Sequence, residues 1–275
     1  MNKEKLLNKI VLYVLLLIGV LLSLFPFYWM FIGGTNPSGA VFNMPPRLIP
    51  GEFLWENFTN LNESVGILRS LFNSLFIAVT FTVLAVLIAS MAGYAFAKYS
   101  FKGREAIFFT LLLAMMIPYH VTLIPLFRMF AAMDWLNTYQ AVILPQLSYP
   151  FAIFLMRQNM KAIPYSLLES ARVDGAGELK IFFKVALPTM RPALAAVAIF
   201  LFMFQWNNFM WPLVVLNTSE METLPVALSS LIGLSRIDYG QVMMGATISV
   251  VPVIILFLIL QKQFISGILG GAVKE

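Results

Sequence analysis

An all-α protein that crosses a membrane six times is the fold this sequence predicts, and three observations carry that expectation. Of the 275 residues, 60% are hydrophobic and only 11% charged, with a mean hydropathy of +0.85, whereas a soluble domain carries roughly 25% charged residues. Six stretches free of Asp, Glu, Lys and Arg, residues 10–46, 70–97, 106–127, 135–156, 192–219 and 239–261, each supply the about 20 apolar residues that a helix needs to cross hydrocarbon. Finally, 14 of the 18 Lys and Arg residues fall in the segments on the N-terminal side of the membrane. Short cytoplasmic loops carry the excess of positive charge, so both termini are expected inside.

The elements follow in order. The opening "MNKEKLLNK" is basic and leads into an apolar run too long for a signal peptide, with no small-residue cleavage site, so an uncleaved first span is expected over 10–32. The outer segment from Gly33 to Arg69 carries Pro37, Pro45, Pro46 and Pro50 and is too short for a domain of its own. A second span is expected over 70–97, where Ala85, Ala89, Gly93 and Ala97 form a small-residue stripe that suits close helix approach in an assembled subunit. The third span, 106–127, holds His120 between two prolines, read as a bend residue hydrogen-bonded to a neighbour. Spans at 137–157, 191–212 and 239–261 complete the set, making 1–275 a single permease-like domain.

Several function classes are excluded. There is no Cys and a single His, so neither disulfides nor a Cys/His metal cluster are expected. None of the six runs contains an ionisable Asp, Glu, Lys or Arg, which an ion-driven carrier needs at membrane depth. No G-x-x-x-x-G-K-[ST], H-E-x-x-H or G-x-S-x-G is present. The chain is therefore not expected to be an enzyme or to bind a cofactor, and energy for uphill movement must come from another protein. The net charge of +5 follows from the inside bias and carries no nucleic-acid signal.

Between the fourth and fifth spans lies a charged, Gly-punctuated segment, "SLLESARVDGAGELKIFFKVALP", within a loop of residues 161–188. Ser166 and Glu169 have capping-box spacing, which places a helix start at Ser166. Ala171 gives that helix a small face, and Gly175 and Gly177 flank a turn that favours left-handed backbone. In the second arm Leu179, Phe182, Phe183 and Ala186 recur at helical spacing, with Lys180 and Lys184 outward and Pro188 as the stop. Such a hairpin suits either docking in a partner's groove or lying at the membrane surface.

Glu169-Ser170-Ala171, Gly175, and Val185-Ala186-Leu187-Pro188 resemble the E-A-A loop of binding-protein-dependent ABC importer permeases, with Ser170 in place of the second Ala and Val185 in place of Ile. The segments "NSLFIAV", "MIPYHVTLIPLF", "NTYQAVILP", "QWNNFMWPL" and "FISGILGGAVKE" extend the similarity to carbohydrate, maltose-permease-like members. The resemblance implies a permease subunit in a bacterial inner membrane. Its partners would be a second permease, a cytoplasmic ATPase dimer that hydrolyses the ATP, and an extracellular sugar-binding protein. Glu169, Ser170, Ala171, Gly175, Val185, Leu187 and Pro188 would form the ATPase-coupling element, and the loop 217–238 would reach toward the binding protein.

For the pathway, "QWNNFMWP" is the intramembrane stretch that places amides beside aromatic rings, as a sugar site wants. Gln205, Trp206, Asn207, Asn208 and Trp211 are its candidates, with interhelical packing and an interfacial aromatic belt as the competing roles. A secondary carrier and a non-transporting assembly or receptor subunit are the alternatives, separated by whether binding protein stimulates ATP hydrolysis in the complex.

Overall fold

The computed structural model describes residues 3–233 and 237–272, with side chains for 6–233 and 237–263. Arg236 and Lys274 of the charge count, the side chains of Lys3 and Lys5, and those of the "FISGILGGAVKE" tail lie outside the described residues. In chain order the helices are α1 (Lys3–Gly34), α2 (Leu54–Val65), α3 (Ile67–Lys98), α4 (Arg104–Ala114), α5 (Tyr119–Ala132), α6 (Tyr139–Ile143) and α7 (Pro150–Lys161). They continue with α8 (Tyr165–Val173), α9 (Glu178–Ile181), α10 (Leu187–Thr189), α11 (Arg191–Trp206), α12 (Met210–Val215), α13 (Leu224–Ile232) and α14 (Tyr239–Ala272). Among the described residues there is no strand.

Residues 1–68 and 227–251 form one compact unit. Its α1 is apolar on every side, and the large side chains from Leu6 to Phe27 are exposed all round, the surface expected of a helix that meets lipid. Outside the span the chain is ordered by one amide. The buried Asn57 of α2 donates from Nδ2 to the carbonyls of Gly34, 2.8 Å away, and Asn36, 2.9 Å away. These are end carbonyls of α1 that would otherwise lack a partner. The segment 33–69 is thus held by α2 and a short 3₁₀ turn, Ser38–Phe42.

Residues 69–226 and 252–275 form the second unit. Its centre is fully buried Phe81, Met156, Leu168, Ile181, Leu201 and Trp211. The small-residue stripe is used inside the chain instead of awaiting another subunit. Ala85, Ala89 and Ala97 are buried, and a Cβ on Gly93 would lie 2.6 Å from Met156 Cβ and 2.8 Å from the Arg157 nitrogen, so α3 and α7 touch backbone to backbone there. Beside this contact buried Arg157 pairs with Glu105 at 2.6 Å and lies over the Phe108 ring.

Three helices are long and apolar enough to cross a membrane unbroken: Leu6–Gly34, Ile67–Lys98 and Tyr239–Gln263. The other three candidate spans are bent pairs: α4 and α5 meet at 97°, Tyr139–Gln146 and α7 at 47°, and Glu178–Thr189 and α11 at 84°. Proline explains the breaks. Pro118 precedes α5, Pro145 and Pro150 bracket the second bend, and Pro188 and Pro192 bracket the third. Each lacks an N–H and forces the residue before it out of helical backbone.

Candidate functional site

Two places hold the residues that the sequence singles out: the hairpin between α7 and α11, and a cavity among the helix breaks. The first arm of the hairpin is α8, which begins one residue before Ser166 with Pro164 at its cap. The expected capping box therefore does not form. Ser166 lies inside the first turn, where its hydroxyl cannot reach the end amides, and no side chain caps the helix. The consequence is a free Glu169: exposed, with no hydrogen bond or ion pair among the described residues. Ser170 Oγ donates to the Leu167 carbonyl at 3.1 Å, and Ala171 is half-buried.

The arm ends in a Schellman turn. Ala176 N–H donates to the Ala171 carbonyl and Gly175 N–H to that of Arg172, both at 3.0 Å, a closure that needs a left-handed residue at Gly175. Gly175 has φ +79°. Gly177, by contrast, is extended at φ −69° and ψ 158° and takes no part in the left-handed turn. A charged clasp crosses it. Arg172 Nε and Nη2 reach Glu178 Oε1 and Oε2 at 2.7 and 3.2 Å, and Tyr99, just beyond α3, donates its hydroxyl to the same carboxylate. Arg172 and Tyr99 hold the Glu178 carboxyl below the usual carboxylate range.

The second arm departs from expectation. Ile181, Phe182 and Ala186 are buried, while Leu179 and Phe183 are exposed. Pro188 does not stop the helix; α9 and α10 are joined by a π turn at Phe182–Ala186, with the Leu187 N–H donating to the Phe182 carbonyl. Widening the turn moves the Lys184 carbonyl away from the Pro188 ring, which would collide with it in a regular α-helix. Val185 and Leu187 are half-buried against the core, and Pro188 is exposed before the bend into α11. Glu169, Ser170 and Gly175 therefore sit on the outward part of the hairpin, and Val185, Leu187 and Pro188 sit at its root.

The cavity has a volume of about 860 Å³ and is lined by three helix breaks, within the range of about 300–1,000 Å³ for ligand pockets. Met115, Ile117, Pro118 and Tyr119 come from the α4–α5 break, Pro145, Gln146, Ser148 and Tyr149 from the break before α7, and Asn207, Asn208 and Phe209 from that between α11 and α12. No charged side chain lines it. Asn207 donates to the Met203 carbonyl at 2.8 Å, and Asn208 donates to Gln205 Oε1 at 3.4 Å. Tyr119 Oη and Gln146 Oε1 are buried without a hydrogen bond of normal geometry.

Of the five pathway candidates, Asn207 and Asn208 line this cavity and three do not. Gln205 is buried behind Asn208. Trp206 is buried with its ring stacked on Phe202 at 5.6 Å. Trp211 is fully buried and donates Nε1–H to the Ala141 carbonyl at 2.8 Å, so it anchors α12 to α6. Indoles this deep are packing residues whose single N–H has already been satisfied. The lining by Tyr119, Gln146, Ser148 and Tyr149 was missed; the prolines at 118, 145 and 150 were its available signal. His120 lies exposed in the first turn of α5 with its ring edge-on to Tyr119, and makes no hydrogen bond among the described residues.

Comparison with known proteins adds the following. The family model described as "Binding-protein-dependent transport system inner membrane component" matches residues 85–269. The chain is 39% identical over 256 residues to the arabinooligosaccharides transport system permease protein AraQ of Halalkalibacterium halodurans, covering 92% of each chain. It is 37% identical to the lactose transport system permease protein LacG of Rhizobium radiobacter, covering 95% of each. It is 32% identical to the sn-glycerol-3-phosphate transport system permease protein UgpE of Yersinia enterocolitica, covering 94% of this chain and 95% of that one. A crystal structure of a bacterial ABC transporter that imports the acidic polysaccharide alginate contains a chain with TM-score 0.78 and 26% identity, over 96% of this chain and 99% of that chain. Apolar helices, interrupted spans and the charged hairpin are accounted for together: the chain belongs to the family of binding-protein-dependent transport system inner membrane components.

Proposed function

We propose that this chain is a permease subunit of an ATP-driven sugar importer. With a second permease it forms the pathway, a cytoplasmic ATPase dimer beneath it hydrolyses the ATP, and an extracellular binding protein delivers the sugar. Both termini and the hairpin face the cytoplasm. The observation that carries the coupling role is the hairpin's outer surface: a free Glu169 carboxylate beside Val173 and Leu179, which are 87% and 68% exposed. Exposed apolar side chains on a charged element outside the spans are what a protein partner covers.

The sugar reading rests on the cavity. Its amides, hydroxyls and aromatic rings suit hydroxyl groups and C–H faces, and the absence of any cation in the lining favours an uncharged sugar over a phosphate ester. Relatives named for arabinooligosaccharides and lactose transport support that class. The test is uptake of labelled sugars by the reconstituted importer, with ATP hydrolysis measured in parallel. Asn208→Ala and Asn207→Ala are expected to lower uptake or change sugar preference, by about tenfold for a lost hydrogen bond to bound substrate, while stimulated hydrolysis persists. Unchanged uptake and preference in both variants would remove the cavity from the pathway.

A further inference from the structure

The last residue of α3 is a buried cation that none of the above explains. Lys98 is 7% exposed, and its Nζ lies 2.5 Å from the Ile163 carbonyl and 3.3 Å from that of Lys161. The same ammonium sits 4.5 Å above the Tyr165 ring, while Tyr165 Oη donates back to the Ala97 carbonyl at 3.3 Å. Among the described residues Lys98 has no carboxylate partner. A buried charge without a counter-ion is costly unless hydrogen bonds replace its water. Here the replacement is the carbonyl end of α7, which also carries the negative end of that helix's dipole.

The position matters more than the bonds alone. Residues 161–165 are where α7 ends and α8, the first arm of the hairpin, begins. Lys98 thus grips the entry to the first arm, and its neighbour Tyr99 grips Glu178 at the start of the second. Two consecutive residues at one helix end hold both roots of the hairpin, and α3 is itself seated against α7 at Gly93.

We infer that Lys98 is the positioning residue of the hairpin: its ammonium ties the hinge between α7 and α8 to α3, so that displacement of the hairpin is delivered to α3 instead of being lost by bending at Pro164. This rests on the reading of the hairpin as the ATPase-docking element. An ammonium suits the task because its three donors serve two carbonyls at once and its charge faces a ring. Methionine keeps the stem and loses the grip; arginine keeps charge and donors.

The complete importer is reconstituted with Lys98→Met and Lys98→Arg, and sugar uptake and ATP hydrolysis are measured per assembled complex. Lys98→Met is expected to lower uptake about tenfold, the scale of a lost charged hydrogen bond, and to raise the ATP consumed per sugar, with Lys98→Arg restoring most of both. Uptake and ATP per sugar unchanged in Lys98→Met would overturn the inference. So would equal defects in the two variants, or failure of both to assemble, which would make Lys98 a folding residue. Gly175→Leu tests the underlying reading separately: an ATPase retained by that variant would remove the docking role, whereas an unaffected Lys98→Met in a complex that Gly175→Leu disrupts would overturn only the role of Lys98.

Discussion

Replacing Gly175 by Ala tests the hairpin turn through its backbone alone. A Cβ at Gly175 would meet nothing within 4 Å, so no packing changes; the cost is confined to holding an L-residue at φ +79°. That cost is roughly 1–2 kcal/mol, which raises the fraction of opened turns by a factor of about 5–30. Gly177 supplies the control two residues away: it too has open space around a Cβ, but its φ of −69° suits alanine. Amide hydrogen exchange reads the difference directly at the Ala176 N–H, which donates to the Ala171 carbonyl. Exchange there should quicken about 5- to 30-fold in Gly175→Ala and stay at the wild-type rate in Gly177→Ala. Affinity for the partner ATPase should fall in the same proportion only in the first. Equal exchange in the two variants would refute the claim that left-handed backbone holds the turn.

Gly93→Val drives a side chain into Met156 and the Arg157 backbone; overpacking of about 1–3 kcal/mol or more is expected, seen as a lower midpoint in thermal unfolding of the purified complex, and an unshifted midpoint would mean that α3 and α7 can separate freely. With no native Cys to interfere, an impermeant thiol reagent on intact cells should label Thr218→Cys and spare Gly177→Cys until the membrane is opened; the reverse pattern would invert the orientation. The clasp at Glu178 has a definite pH window: its carboxyl is held below the ordinary value of 4.5, so its contribution is present above that value and lost as pH falls through the depressed one. Glu178→Gln should therefore speed exchange at the Ala176 amide at pH 7 and at pH 5 alike, and a difference confined to pH 7 would show that the carboxyl is not depressed.

What the amino-acid order could reveal depended on how local the physics is. Gly175 was legible because a Schellman turn is made within six residues and demands one residue type. The apolar runs were legible because lipid imposes a length on each. Breaks within those runs were not, since hydropathy is the same for a straight helix and a bent pair; Pro118, Pro145 and Pro150 carried that information in a different alphabet. Ser166 and Glu169 matched a capping pattern, yet Pro164 began the helix early, and one residue of slip moves the hydroxyl away from the end amides. Trp206 and Trp211 shared the composition of a sugar site with Asn207 and Asn208, but which face of a helix end looks into a cavity is decided by partners such as Ala141, seventy residues away along the chain. Lys98 and Tyr99 read as an ordinary basic boundary, because their partners at 161–165 and 178 are distant in sequence.

The π turn at Phe182–Ala186 has a genetic meaning as well as a geometric one. A π turn holds one residue more than the α turn it replaces, so the hairpin's second arm carries a surplus codon. Deleting a single residue there would restore a uniform α-helix and rotate everything after it by about 100°. Arg191 and the start of the fifth span would then face a new direction while the clasp at Glu178, upstream, kept its place. Relatives that differ by one residue in this arm need not differ by a shorter loop: the length change is absorbed as a rotation between the element that meets the partner and the helix that leads to the cavity.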